Sequence, residues 1–149
     1  MEEVKNYIRD KRSPVPFSGN VSKVMSSNRG KNTKPELLLR KLLCNNGIRG
    51  YRIHPKNIPG RPDICFISLK LAIFINGCFW HRCPICNYKL PKHNTLFWET
   101  KFSNNVSRDR EKIIQLKKMK WKIITVWECM LKKDKVDKTL NSIIRKIRY

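Results

Sequence analysis

Apolar positions first recur at helical spacing from Leu38, and the segment before them, Thr33-Lys34-Pro35-Glu36, predicts a helix start. Thr33 can cap the helix, Pro35 suits its first turn, and Glu36 lies three residues on, as a capping box requires. Leu38, Leu39, Leu42 and Leu43 form its apolar face, and Gly47 is a natural stop. Three extended segments follow. Ile48–His54 alternates, Asp63–Ile67 is short and apolar, and Lys70–Ile75 is apolar on both faces, as in a central strand. Between the first two, Asn57-Ile58-Pro59-Gly60-Arg61-Pro62 is a rigid turn leading into Asp63. Residues 77–91 read as irregular. A long helix runs from Asn94 or Thr95 to Lys118, with Val106, Ile113 and Leu116 marking its inner stripe. Trp121–Trp127 is a further strand, and Val136, Leu140, Ile144 and Ile147 predict a closing amphipathic helix. The order αβββαβα places the chain in the α/β class. Residues 1–32 are polar and basic and read as a loosely ordered arm with a short helix around residues 2–10, ahead of one domain over 33–149.

At 149 residues the chain suits one domain rather than two. Its 40% hydrophobic content, with 4 Trp, 4 Tyr and 6 Phe, can fill a core. No apolar run approaches the roughly 20 residues needed to span a bilayer, and the N-terminus lacks the basic-then-apolar layout of a secretory signal. A cytoplasmic protein with no membrane partner is expected. The charge is more telling: 33 Lys and Arg against 11 Asp and Glu leave a net +22. Residues 101–149 hold 15 basic and 5 acidic side chains, so the excess is spread along the chain rather than confined to a tail. Such a balance favours a polyanion, because each phosphate neutralised releases a condensed counterion. Ribosomal and membrane-surface proteins can be equally basic, so charge alone does not choose among them.

The six cysteines are unevenly placed. Cys44 and Cys65 fall in apolar runs and read as small core residues. Cys83 and Cys86 form a C-x2-C pair whose spacing lets two thiolates approach one tetrahedral zinc. Cys78 lies five residues earlier, and Cys129, at the end of a later strand, can return beside the loop. Four thiolates with no open position describe a structural zinc site. A set of free thiols, or His81 as fourth ligand, is the alternative. Asp63, at the mouth of a short strand, is the best-placed carboxylate for a divalent ion in a chain where acids are scarce. On spacing alone, a turn aspartate capping backbone N–H groups is the simpler explanation. Phe79 and Trp80, in an irregular loop, are hard to bury completely and can wedge between base steps, whereas Phe97 reads as core. His81 and His93 are loop histidines able to serve as general acid or base near neutral pH, although an incidental surface position explains a lone loop histidine as well. His54 ranks below them because it lies on an alternating segment.

These residues together carry a resemblance. Ile58-Pro59-Gly60-Arg61-Pro62-Asp63, then Phe74-Ile75-Asn76-Gly77-Cys78-Phe79-Trp80-His81, then Asn94-Thr95-Leu96-Phe97-Trp98, then Val126-Trp127-Glu128-Cys129 resemble the very short patch repair (Vsr) endonucleases, and Thr33-Lys34-Pro35-Glu36 fits the family's opening helix. The similarity spans about residues 22–133 in unbroken order. It implies the restriction-endonuclease-like fold of the PD-(D/E)xK nucleases, a mixed sheet flanked by helices, and magnesium-dependent nicking of duplex DNA beside a T·G mismatch left by deamination of 5-methylcytosine. Position by position, it makes Asp63 the metal-binding carboxylate, with the Ile75 carbonyl as a further magnesium ligand. His81 becomes the catalytic histidine and Glu36 an auxiliary acid. Phe79, Trp80 and Trp98 become the intercalating side chains, and Cys78, Cys83, Cys86 and Cys129 the zinc ligands. Cys83 replaces a family histidine, and Cys86 lies one position beyond the usual last cysteine.

Two departures stand out. The family's Thr-His before Gly-Cys-Phe-Trp is Ile75-Asn76 here, and Asn76 can coordinate or hydrogen-bond but cannot transfer a proton. No (D/E)xK tripeptide follows Asp63 within the next two extended segments, up to Asn76. The resemblance therefore leaves three readings: a mismatch nickase, an endonuclease directed to a particular sequence or another lesion, and a catalytically inert zinc-containing DNA-binding module. The expected partner is double-stranded DNA, met by a monomer, with a functional link to a DNA cytosine methyltransferase.

Overall fold

The computed structural model describes residues 18–20 and 30–149; the helix expected around residues 2–10, and most of the basic arm, lie outside them. The elements are α1 (Lys34–Asn45), β1 (Ile64–Phe66), β2 (Leu71–Asn76), α2 (Thr95–Lys118), β3 (Lys122–Trp127), a 3₁₀ turn (Glu128–Leu131) and α3 (Val136–Arg148). The sheet order is β1-β2-β3. β1 runs antiparallel to β2, pairing Ile64 with Ile73 and Phe66 with Leu71. β3 runs parallel to β2, from Leu71 opposite Lys122 to Asn76 opposite Trp127. A parallel neighbour needs a crossover, and α2 supplies it.

β2 is buried from Leu71 to Ile75, as the doubly apolar run requires, and only its last residue, Asn76, is half-buried. On one face Leu71, Ile73 and Ile75 join Ile64, Phe66, Ile124 and Val126 under Leu39 and Leu43 of α1 and Leu140 and Ile143 of α3. On the other, Ala72 and Phe74 pack with Cys65, Ile58, Leu116 and Trp121. The period-two alternation of β2 thus sorts its side chains between two helical layers. Gly60 sits at φ +74°, and a Cβ there would lie 2.7 Å from Cγ of Lys112, so the turn before β1 packs directly on the stem of an α2 lysine.

Three local expectations are corrected. Residues 48–54 form no strand; Arg52 makes one isolated antiparallel bridge with Cys65, and the chain then turns, with His54 at φ +46°. The Gly47 and Gly50 turns and the Pro55 that follows leave too little extended chain to continue a ladder. On α1, Leu39 and Leu43 are fully buried while Leu38 is 38% exposed, and the inward position at the start of the helix is taken by Glu36. Cys44 is only half-buried, and its sulfur accepts a hydrogen bond from Arg49. Among the described residues, no helix is long and apolar enough to cross a membrane.

Leu39→Ala should therefore cost about 3 kcal/mol of unfolding free energy, since it opens a cavity in the larger core. Leu38→Ala should cost less than about 1 kcal/mol. Equilibrium denaturation of the two variants checks the assignment, and equal losses would contradict it.

Candidate active site

The start of β1 and the end of β2 lie side by side because the two strands are antiparallel, and this brings Asp63 to Ile75. Asp63 Oδ2 accepts the Ile75 N–H at 2.6 Å. Its other oxygen lies 3.2 Å from Nε2 of His54, and the same nitrogen is 3.2 Å from Oε2 of Glu36. Glu36, 3% exposed, is the one buried charged residue among those described. It is held by the Asn32 N–H at 3.0 Å, the Thr33 hydroxyl at 3.1 Å and the Arg40 guanidinium at 3.0 Å. The expected capping box is thus displaced by one residue: Glu36 reaches back to the backbone of Asn32, and Thr33 makes no side-chain cap to the helix. Burial raises the pKa of Asp63, with the nearby Glu36 charge acting in the same direction. The Ile75 N–H and His54 oppose it without cancelling it.

Glu36, His54 and Asp63 each offer one ligand atom, and these atoms lie within 4.8 Å of one another. Two carboxylates and an imidazole are hard and borderline donors of the kind that hold a divalent cation, so the donor set fits one. His54, ranked low because its segment alternates, belongs to this group. The turn that ends the alternation is what swings it against Asp63.

Beyond β2 the chain passes through Gly77 into the cysteine loop, where His81 faces α2. Its Nδ1 is 2.5 Å from Oδ2 of Asp109, and Lys112, one turn further along the helix, reaches the other oxygen at 3.1 Å. Burial works against ionisation of Asp109, but hydrogen bonds and charge from His81 and Lys112 prevail and hold its carboxyl below the usual range. This pairing fixes Nδ1, so Nε2 is the nitrogen left for proton transfer. Asn76 and Asp109 line one small depression with Phe74, Lys112, Ile113 and Thr125, which places the end of β2 against the partner of His81. Asp109 was not expected at the site. It is one of only 11 acidic residues, and their scarcity was the one signal in the sequence that could have singled it out. The third loop histidine, His93, is exposed in the segment before α2.

Cys78, Cys83, Cys86 and Cys129 converge, their sulfurs within 4.8 Å of one another, and three of the four residues are buried. Cys129 arrives from the 3₁₀ turn after β3, and its N–H donates to the Cys78 sulfur at 3.3 Å. Burial pushes the Cys78 thiol up, whereas at Cys83 the N–H groups of Cys86 and Ile85 overcome burial and hold the thiol below its ordinary value. Turn N–H groups that stabilise a thiolate are what a metal-binding C-x2-C loop provides, so four thiols in this arrangement fit a closed tetrahedral site. His81 is engaged by Asp109 rather than by this cluster.

The same loop carries Phe79 and Trp80 onto α2. Phe79 meets Trp80, Trp98 and Phe102 edge-on with centroids 5.1–5.7 Å apart, and Trp80 lies 5.7 Å from Trp98. Lys101 stands over the rings of Trp80 and Phe97. Trp98 is only 9% exposed and Phe102 is buried beside it, whereas Leu96, at the start of α2, is 76% exposed. Of the three aromatics expected to face bases, Phe79 and Trp80 are half-buried, and Trp98 lies beneath them. Phe97, expected in the core, is also half-buried.

A carboxylate pair, a histidine–aspartate pair and a basic, aromatic flank meeting at the end of a mixed sheet describe a phosphodiester-cleaving α/β enzyme. The comparisons define it more closely. Residues 18–87 match the family described as DNA mismatch endonuclease Vsr. A type II nicking enzyme, V.NmeAIP, of Neisseria meningitidis is 41% identical over 84% of this chain and 89% of its own length. Another, V.XorIIP, of Xanthomonas oryzae is 41% identical over 72% and 79%. The DNA mismatch endonuclease Vsr of Escherichia coli is 37% identical over 74% and 70%. The chain belongs to the Vsr family of DNA endonucleases.

The lowered pKa of Asp109 has a consequence for stability. Its carboxylate stabilises the fold above its unfolded value near 3.8, and that contribution is lost as pH falls through the lower folded value. Asp109→Asn should therefore be about 1 kcal/mol less stable than wild type at pH 7. The difference should close below about pH 4 in paired thermal melts, and a deficit independent of pH would contradict the assignment.

Proposed function

We propose that the protein nicks one strand of duplex DNA beside T·G mismatches left by deamination of 5-methylcytosine, by magnesium-dependent hydrolysis, on a restriction-endonuclease-like fold. The observation that carries this reading is that the end of β2 touches two distinct chemical units. The Ile75 N–H holds Asp63 of the Asp63–Glu36 carboxylate pair, and Asn76 shares a depression with Asp109 of the His81–Asp109 pair. The names of the relatives support the same reading, since those proteins are called mismatch endonuclease or nicking enzyme.

Asp63 and the Ile75 carbonyl would hold magnesium, and Glu36 would add negative charge behind it. When bound, the ion supplies Lewis-acid activation of water and neutralises charge developing on the phosphate. The remaining steps fall to the chain's own groups. His81 moves a proton at Nε2, either taking it from the attacking water or delivering it to the leaving oxygen. Asp109 holds the ring in the required tautomer and stabilises the imidazolium. Asn76 orients through its amide, and proton transfer is left to His81. Cys78, Cys83, Cys86 and Cys129 would hold a structural zinc that anchors the loop carrying His81, Phe79 and Trp80. Phe79 and Trp80, with Trp98 behind them, would enter the stack at the mismatch, where unstacking costs least. The net charge of +22 supplies affinity for the backbone that is blind to sequence. The protein would act as a monomer, following the lesions that a cytosine methyltransferase makes frequent.

Asn76, in place of the family histidine, favours a second reading in which strict mismatch dependence is relaxed and sequence directs the cut. Nicking of labelled T·G and matched duplexes in several contexts, with magnesium or EDTA, separates the two. Asp63→Ala should reduce the nicking rate at least about a hundredfold. Cleavage at the wild-type rate would refute the mechanism, and tight binding without cleavage by the wild type would mark an inert DNA-binding module.

The zinc assignment has its own check. Purified protein should contain one zinc per chain, and Cys83→Ser or chelation should remove it and lower the melting temperature by roughly 10 °C. Metal-free protein with an unchanged melting temperature would refute it.

A further inference from the structure

Resting on the nuclease reading above, we propose that His54 is a direct ligand of the catalytic divalent cation, joining Asp63 while Glu36 supplies negative charge and a fixed position behind them. Asp63 has one oxygen committed to the Ile75 N–H, and its remaining oxygen turns to His54 at 3.2 Å. His54 Nε2 bridges that oxygen and Glu36 Oε2 at equal distances of 3.2 Å, so it stands at the meeting point of the two carboxylates. The three ligand atoms lie within 4.8 Å of one another, a separation that a single ion can span with modest adjustment.

The local backbone serves this placement. His54 has φ +46°, and its N–H donates to the Pro62 carbonyl at 3.1 Å, which fastens it to the residue before Asp63. Its side chain is 11% exposed, against 17% for Asp63 and 4% for Glu36, so Asp63 is the most open of the three to solvent. A ring nitrogen that coordinates an ion carries no proton, so as a ligand His54 would be the Nδ1–H tautomer, with the Nε2 lone pair directed toward Asp63. Glu36 is already held by Asn32, Thr33 and Arg40, so it lends charge and a fixed position more than strong coordination.

An imidazole in the first shell alters ion preference. Magnesium favours all-oxygen shells with several retained waters, whereas manganese(II) accepts nitrogen readily and gains more from a mixed donor set. Manganese(II) should therefore bind more tightly than magnesium, and the margin should depend on His54. A histidine that merely clamps the carboxylates would stabilise the pocket without conferring this preference.

The test is a manganese(II) titration of the full-length, zinc-loaded protein followed by electron paramagnetic resonance, with pulsed measurement of nitrogen hyperfine coupling. Nitrogen coupling is expected in the wild type and in His81→Ala, and it should vanish in His54→Ala with a loss of affinity of about tenfold or more. His54→Gln, which keeps an amide against both carboxylates, repeats the comparison in a variant with less risk to folding and should also lack the signal. Coupling that survives both His54 variants overturns the proposal. Manganese bound in an Asp63-dependent manner without nitrogen coupling overturns the role of His54 while leaving the nuclease reading intact. Failure to bind manganese at all overturns both.

Discussion

The candidate site depends on one hydrogen bond, from the Ile75 N–H to Asp63. Because β1 and β2 are antiparallel and short, the first residue before one strand must lie beside the last residues of the other. The 2.6 Å contact fastens the carboxylate there while leaving its second oxygen available. A carboxylate buried in this way carries a desolvation penalty, which shows as its raised pKa. The penalty is sustained because β2 is enclosed between two layers of helices and cannot relax toward water. The rest of the site follows from where β2 ends, since the chain there leaves the sheet for the cysteine loop that brings His81 to α2.

The parts of the fold written as local periodicity were legible in the sequence. The doubly apolar run at Leu71–Ile75 identified a central strand, and the spacing across Thr95–Lys118 and Val136–Arg148 identified two helices within a residue or two of their bounds. The expected strand at residues 48–54 failed because alternation describes side-chain character, whereas a ladder needs extended backbone. Gly47, Gly50 and the left-handed His54 withdraw it. Leu38 failed for a related reason. A four-leucine face fits a helix wheel, but tertiary packing chose Leu39 and Leu43 and gave the inward position of the first turn to Glu36.

The site was legible to an uneven degree. The four cysteines could be grouped because C-x2-C spacing is itself a chemical constraint, and they do converge. Asp63 stood out through the scarcity of acids and the turn before it. Asp109 and His54 were not recoverable in the same way. The partner of His81 lies 28 residues away, on a helix face that no local pattern distinguishes from solvent. His54 acquires its neighbours only when the chain reverses between it and Asp63.

Lys112 touches both halves of the site. Its stem fills the space that a side chain at Gly60 would need, its ammonium pairs with Asp109, and it lies over the ring of Phe74. The turn that delivers Asp63 and the helix that steadies His81 are therefore spaced by the thickness of one aliphatic chain. The glycine acts as a gauge: whatever its Cα admits sets how far apart the carboxylate and imidazole sides can sit. A drift of even one methyl group at that contact would be felt on both sides at once.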